Sequence, residues 1–437
     1  MMHGGLGAGA DHQPIPVERI VESGLCIGCG LCESIAGQRR IRLVMTPEGR
    51  ERPAVLEPLD RQTLALINAV CPGVTVVGPD PNLAAAKVRW DAIWGPALRI
   101  AKGHAGDPQV RFQASAGGGL SALATYLLER GEVDFILHVA AAREKPMRSE
   151  RHLSFDRAQV LAGAGSRYGP AAPLTDFVSL LELGRPFAVI AKPCDLAAIR
   201  SLARADPRVD RLIRYHLAFV CGGASVFAKS LELVQGFGLE EDDVAMFRYR
   251  GMGNPGKTRI EAKDGRVFEV TYNDLWEDES KWMLQFRCKI CPDAIGELAD
   301  IAVCDVWPGG GPTGEDAGFN GFIARTPQGL ALLEEAERAG ALVLIEDWGF
   351  RDLDIVQPHQ VTKKQAITAR LEAMREAGAL VPSFQQLRLE AAAATSAEEN
   401  RRANYEGMRH RLERGDNREP PVAFGSASHP SDPSLRS

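Results

Sequence analysis

No stretch of this 437-residue chain approaches the roughly 18 to 20 consecutive apolar residues of a membrane-spanning helix, so no helical span is expected. Residues 1–15 lack the basic start and apolar core of a secretory signal and read as a flexible, Gly- and Ala-rich leader. The run Gly5-Leu6-Gly7-Ala8-Gly9-Ala10 resembles a glycine motif, but no strand precedes it, and it belongs with that leader. An excess of positive charge is also missing. The net charge is −6, which argues against a nucleic-acid partner, because displacing counterions from phosphate needs a basic face. The 9 histidines are scattered, and no Ser/His/Asp series marks a hydrolytic site. There is no internal repeat. A cytoplasmic protein is expected, and there disulfides are rare.

Cysteine is abundant by contrast. Nine of them in a reducing compartment point to metal ligation. Cys26-Ile27-Gly28-Cys29-Gly30-Leu31-Cys32 is a C-x2-C-x2-C motif, and Cys71-Pro72 follows after 38 intervening residues. Three thiolates on one tight loop plus a Cys-Pro suit a 4Fe–4S cubane, and Gly28 and Gly30 let the loop wrap closely. Zinc is the alternative, although zinc sites more often use two separated C-x2-C pairs. Cys288-Lys289-Ile290-Cys291-Pro292 forms a second pair. Cys194 and Cys221 each follow an apolar run that reads as a strand. Carboxyl ends of parallel strands line ligand crevices, so these two could complete a second cluster. Both could equally be small buried hydrophobes. Cys304 lies within an apolar run and is assigned to packing.

Length allows two or three domains at about 150 residues each. Strands are expected at 110–112, 133–139, 187–191 and 217–220, and helices at 121–130, 174–183, 196–203 and 226–237. This alternation predicts an α/β fold with a largely parallel sheet. Runs at 259–262 and 267–270 flank Asp264-Gly265 and predict a β-hairpin. A helix is expected near 329–339.

Arg111 to Ser121 reads as strand, glycine loop and helix. Gly117, Gly118 and Gly119 would let backbone N–H groups approach phosphate, with Ser115 and Ser121 as hydroxyl donors. The loop is neither the Walker lysine loop nor the G-x-G-x-x-G fingerprint, and a plain tight connection would look similar. Ser166-Arg167-Tyr168 offers a hydroxyl, a guanidinium and an aromatic face to a flavin, and Arg250 could pair with pyrophosphate. Lys192 is the sole catalytic candidate, through offsetting nearby negative charge.

Taken in order, these elements resemble the beta-subunit family of coenzyme F-420 hydrogenases and dehydrogenases. The matching pieces are the 26–32 motif with Cys71-Pro72, the 115–121 loop, Ser166-Arg167-Tyr168, Pro193-Cys194-Asp195, Cys221-Gly222-Gly223, Tyr249-Arg250-Gly251, the 288–291 pair, Ala299-Asp300-Ile301 through Trp307, and 321–329. The resemblance implies FAD, one or two 4Fe–4S clusters and an oxidoreductase moving electrons from a ferredoxin or redox partner subunit to a small organic acceptor. That acceptor would be F-420. The alternatives are a chlorophyll precursor, whose reductases in this family carry the second cluster at Cys194, Cys221, Cys288 and Cys291, or a non-catalytic relay subunit. A homo-oligomer stays open. The expected organisation is an iron–sulfur module at 16–85, a flavin and second-cluster α/β domain at 86–350, a helical segment at 351–413 and a disordered tail at 414–437.

Overall fold

A computed structural model of the chain describes residues 13–81 and 88–423. The apolar runs between residues 99 and 347 assemble into one eight-stranded sheet. In chain order its strands are β1 (Arg99–Ala105), β2 (Phe135–Ala141), β3 (Ser149–Ser154), β4 (Phe187–Ala191), β5 (Ile213–Phe219), β6 (Ile301–Asp305), β7 (Asn320–Ala324) and β8 (Leu342–Asp347). Across the sheet the order is β8-β1-β7-β6-β5-β4-β2-β3. The centre, β6-β5-β4-β2, pairs in parallel, and the flanking pairs are antiparallel. Since β1 is antiparallel to β7 and β7 to β6, β1 points the same way as the central four. Five strands therefore share a direction, and their carboxyl ends lie along one edge.

Both faces of the sheet are covered. Phe135, Leu137, Phe187 and Val189 turn to one core, with helices Phe177–Glu182 and Pro193–Leu202 packed over them. Ile136, Ala188, Leu217 and Val303 turn to the other, beneath helices Gly119–Glu129 and Pro327–Arg338. Strands buried on both sides lose the polar alternation of a half-exposed sheet, hence the continuous apolar runs.

Residues 110–112 differ from expectation. They belong to helix Pro108–Gln113, because Asp107 caps it by accepting from Gln109 N at 2.7 Å and Pro108 presets its first turn. The glycine loop thus joins helix to helix rather than strand to helix. The hairpin forms with Gly265 at φ +89°, and Val244–Arg248 adds a third strand. This small sheet carries its own core of Phe247, Tyr249, Ile260 and Trp276.

Described segments near the start and near the end of the chain pack against each other. Strand Thr75–Val77 pairs in parallel with Ser383–Gln385. Ile20 and Leu25 share a core with Ile367, Leu371 and Met408. Residues 414–423, expected to start a disordered tail, are ordered here. Glu419 is buried because it neutralises the buried Arg52, a pairing that composition does not reveal. Within the leader, Ile15 N donates to Asn68 Oδ1 at 2.8 Å. The rest of the leader (1–12), the boundary near 85 and the remaining tail (424–437) lie outside the described residues. Among the described residues no helix is long and apolar enough to cross a membrane.

Candidate functional site

Tight backbone geometry shapes the first cysteine loop. Gly28 (φ +72°) and Gly30 (φ +90°) are left-handed, and a Cβ on Gly28 would sit 2.5 Å from the Glu51 carbonyl. Gly28 N donates to Cys26 Sγ at 3.3 Å. Gly30 caps helix Leu31–Ala36, which carries Cys32 in its first turn. Cys71 caps helix Arg61–Val70, its N–H donating to Ile67 O. The four thiols are neighbours: charge on Cys26, Cys29 or Cys71 acts on Cys32, and charge on Cys26 or Cys71 acts on Cys29. Burial raises all four pKa values, Cys71 to about 12.

The second set also converges. Cys194 lies in the first turn of helix Pro193–Leu202, and Cys221 lies just past β5, its N–H donating to Ala294 O at 2.7 Å. Cys288 sits on helix Phe286–Lys289, where Ala224 N donates to its Sγ at 3.5 Å. Cys194, Cys221, Cys288 and Cys291 line one small cavity together with Ile27 of the first loop. Burial raises Cys194, Cys291 and Cys221, the last to about 11. Among the described residues no group of three or more His, Cys, Asp or Glu is closed up to hold a metal ion. A cubane spreads its four thiolates wider than one ion does, and all-cysteine sets suit an iron–sulfur cluster or zinc rather than a hard cation. Cys304 belongs to neither set and is buried in β6.

A cavity of about 600 Å³ opens at the carboxyl ends of the parallel strands. Ser115, Gly118, Gly119, Ser121, Ser166, Arg167, Tyr168, Arg250 and Lys192 all line it. Gly117 does not; it packs on Asn320, whose Oδ1 would lie 2.8 Å from an added Cβ. Asn320 Oδ1 instead accepts from Gly119 N at 2.8 Å, and its amide donates to Cys304 O, tying the loop to β6. Ser115 Oγ accepts from Ser166 N and Oγ, both at 3.0 Å. Arg167 spends its guanidinium on Ser149 Oγ and the carbonyls of Phe247, Pro146, Met147 and Arg148, so it braces the wall rather than presenting its fork. Arg250 pairs with Asp305 at 2.8 Å and lies over the Trp307 and Tyr272 rings. Burial is the largest single influence and works against its charge, but Asp305, Tyr168 and Tyr272 together outweigh it and hold the guanidinium protonated.

Four cavity-lining groups hold buried polar atoms without a hydrogen-bond partner: Ser225 Oγ, Trp276 Nε1, Trp307 Nε1 and Gln360 Oε1. Leaving such atoms unpaired is costly, so their concentration in one place fits a bound polar ligand.

Models of the coenzyme F-420 hydrogenase/dehydrogenase beta subunit match this chain, the N-terminal part over residues 100–179 and the C-terminal part over 184–347. The chain belongs to this family. It is 30% identical over 240 residues to the beta subunit of F-420-dependent formate dehydrogenase 1 from Methanococcus maripaludis, covering 54% of this chain and 59% of that one. Similarity to the coenzyme F-420-dependent sulfite reductase of Methanocaldococcus jannaschii is 23% over 359 residues, 78% of this chain and 50% of that one. The coenzyme F-420 hydrogenase subunit beta of Methanothermobacter thermautotrophicus is 21% identical over 302 residues, 66% of this chain and 99% of the relative. The chain thus spans about 59% of the length of the formate dehydrogenase relative. In fold it resembles a chain of the F-420-reducing NiFe hydrogenase complex of Methanosarcina barkeri, with a TM-score of 0.53 at 18% identity, covering 68% of this chain and 99% of that one.

The part of this family member that the models match holds the large cavity and the second cysteine set; the first set precedes it. Lys192 connects the parts. It lines both cavities, and its Nζ stands 2.8 Å from Asp195 Oδ2. Charge on Asp195 in turn acts on Cys29 and Cys194. Arg52, Arg287 and Glu419 were invisible in the sequence, because a charged residue looks alike whether it ends on the surface or in the interior. Trp276 and Gln360 were missed for a similar reason: nothing local marks which side chains a distant segment will turn toward a cavity.

Proposed function

We propose that this chain is a flavin- and iron–sulfur-dependent oxidoreductase subunit that exchanges electrons with coenzyme F-420. One observation carries the reading: a single cavity rich in orphaned polar atoms shares Lys192 and Cys221 with the second cysteine set. FAD would supply exchange between single-electron and hydride chemistry, and 4Fe–4S clusters would supply one electron at a time. The 115–121 loop, Ser166, Tyr168 and Arg250 would hold the FAD. Cys26, Cys29, Cys32 and Cys71 would bind one cluster, and Cys194, Cys221, Cys288 and Cys291 the other. Tyr272, Trp276 and Trp307 wall the cavity. Lys192 places a fixed positive charge between cavity and cysteines, and Arg250 is braced by Asp305 toward an electron-rich ligand. Arg167 positions the wall through its carbonyl contacts.

Electrons would enter or leave through a redox partner subunit, as the subunit names of the relatives suggest, or through a ferredoxin. Those relatives act with F-420, which sets the chlorophyll-precursor alternative aside. The test is anaerobic. The purified protein is reduced, freed of reductant, and offered F-420 or divinyl chlorophyllide. Reoxidation of the flavin by F-420 alone is expected; reoxidation only by the chlorophyllide, or by neither, contradicts the assignment.

A further inference from the structure

Two arginines lie buried where the cysteine sets approach each other. Arg52 is 0% exposed and Arg287 is 2% exposed. Arg52 NH1 donates to Glu51 O, the carbonyl against which Gly28 is turned, and its NH2 donates to Gln285 Oε1 at 2.9 Å, the residue that caps the helix carrying Cys288. Arg287 precedes Cys288 in that helix, and its NH2 donates to Pro72 O at 2.9 Å, beside Cys71. Beside these hydrogen bonds, each guanidinium is close enough to couple electrostatically with one cysteine of each set: Arg52 with Cys26 and Cys288, and Arg287 with Cys71 and Cys291. Their compensation differs. Arg52 is held by Glu419 through two bonds, of 2.6 and 2.7 Å. Arg287 donates only to the carbonyls of Pro72 and Ile290 and lies over the Phe384 ring, and among the described residues no carboxylate stands in ion-pair range of it. A buried cation without an anion is strongly unfavourable, so Arg287 requires negative charge from another source.

We propose that Arg52 and Arg287 are positioning residues that couple the two cysteine sets into one relay, each stabilising the negative charge that an arriving electron adds to either set. This rests on the iron–sulfur reading above. Four thiolates around an iron–sulfur core give the anion that Arg287 lacks. Arg52 exerts less of this effect, because Glu419 already neutralises it. The two positions therefore make opposite forecasts. Removing the Arg287 charge makes reduction harder, and removing the Glu419 charge frees Arg52 and makes reduction easier. Each reduction takes one electron from dithionite, which is oxidised; no bond in the protein forms or breaks.

The experiment is an anaerobic redox titration of the full-length protein followed by electron paramagnetic resonance. Arg287→Gln is expected to move the midpoints of both clusters to more negative potential, Arg287→Lys to return them toward wild type, and Glu419→Gln to move at least one midpoint positive. Unmoved midpoints, or shifts of the opposite sign, at wild-type iron content overturn the proposal. If Arg287→Gln does not fold, the sign of the Glu419→Gln shift decides alone. A wild-type protein with a single cluster also overturns it. Wild-type protein without iron and sulfide would bring down the iron–sulfur reading itself, whereas loaded protein with unshifted variants brings down only this inference.

Discussion

At Gly28 the chain needs a residue without a side chain twice over, for its φ of +72° and for the Glu51 carbonyl 2.5 Å from where a Cβ would be. Gly28→Ala is expected to destabilise the protein by roughly 1–3 kcal/mol and to lower iron per chain, read by thermal unfolding and iron analysis. Unchanged melting and iron content would contradict the tight-loop account. Such a glycine is legible in sequence because the cysteine spacing around it demands a close turn. Histidine is not, since burial and neighbouring charge set its behaviour. His138 hydrogen-bonds Ser154 at 2.7 Å, and burial, then His152, push its pKa down from 6.5 to about 4. Unfolded chains would take up a proton near 6.5 that the folded chain refuses until about 4. Stability therefore rises with pH across that window and falls on acidification. Between pH 7.5 and 5 the stability of His138→Gln is expected to fall less than that of wild type, by about 1–2 kcal/mol. Parallel losses in denaturant titrations would contradict this.

Elements show why some of the fold was legible and some was not. β4, Phe187–Ala191, is buried on both faces and announces itself as an apolar run. β1 is interrupted by Gly103 and Lys102 and went unrecognised, as did β7 and β8, so the antiparallel flank could not be anticipated. Helix Pro108–Gln113 was misread as a strand at 110–112 because its Asp-Pro start was overlooked in favour of a short apolar pair. The junction beside the proposed flavin loop lies between helix Gly119–Glu129 and β7, where Asn320 Oδ1 accepts from Gly119 N. Asn320→Leu leaves that buried N–H unpaired, at a cost of about 1–3 kcal/mol, and should release flavin from purified protein. Flavin absorbance per chain reads it out; full retention would show that the loop does not hold the cofactor.

For the molecule as a whole, the decisive arrangement is a meeting of remote segments. Four cysteines spread over 97 positions, from Cys194 to Cys291, line one small cavity, and the segment after the last helix folds back so that Glu419 reaches Arg52. The cysteine spacings were readable from sequence, because the proposed clusters would constrain them. Their company was not: the Arg52 and Arg287 cations, the Asp195–Lys192 pair and the orphaned tryptophan N–H groups come together only through tertiary packing. Family membership, the mixed α/β sheet and the cavity at its carboxyl edge all follow from the same central strands. The most direct measurement is iron, acid-labile sulfide and flavin per chain in protein purified without oxygen. The account predicts two clusters' worth of iron and sulfide, four of each per cysteine set, together with one FAD. Protein that is colourless and free of iron and sulfide, or that carries zinc in their place, would contradict it.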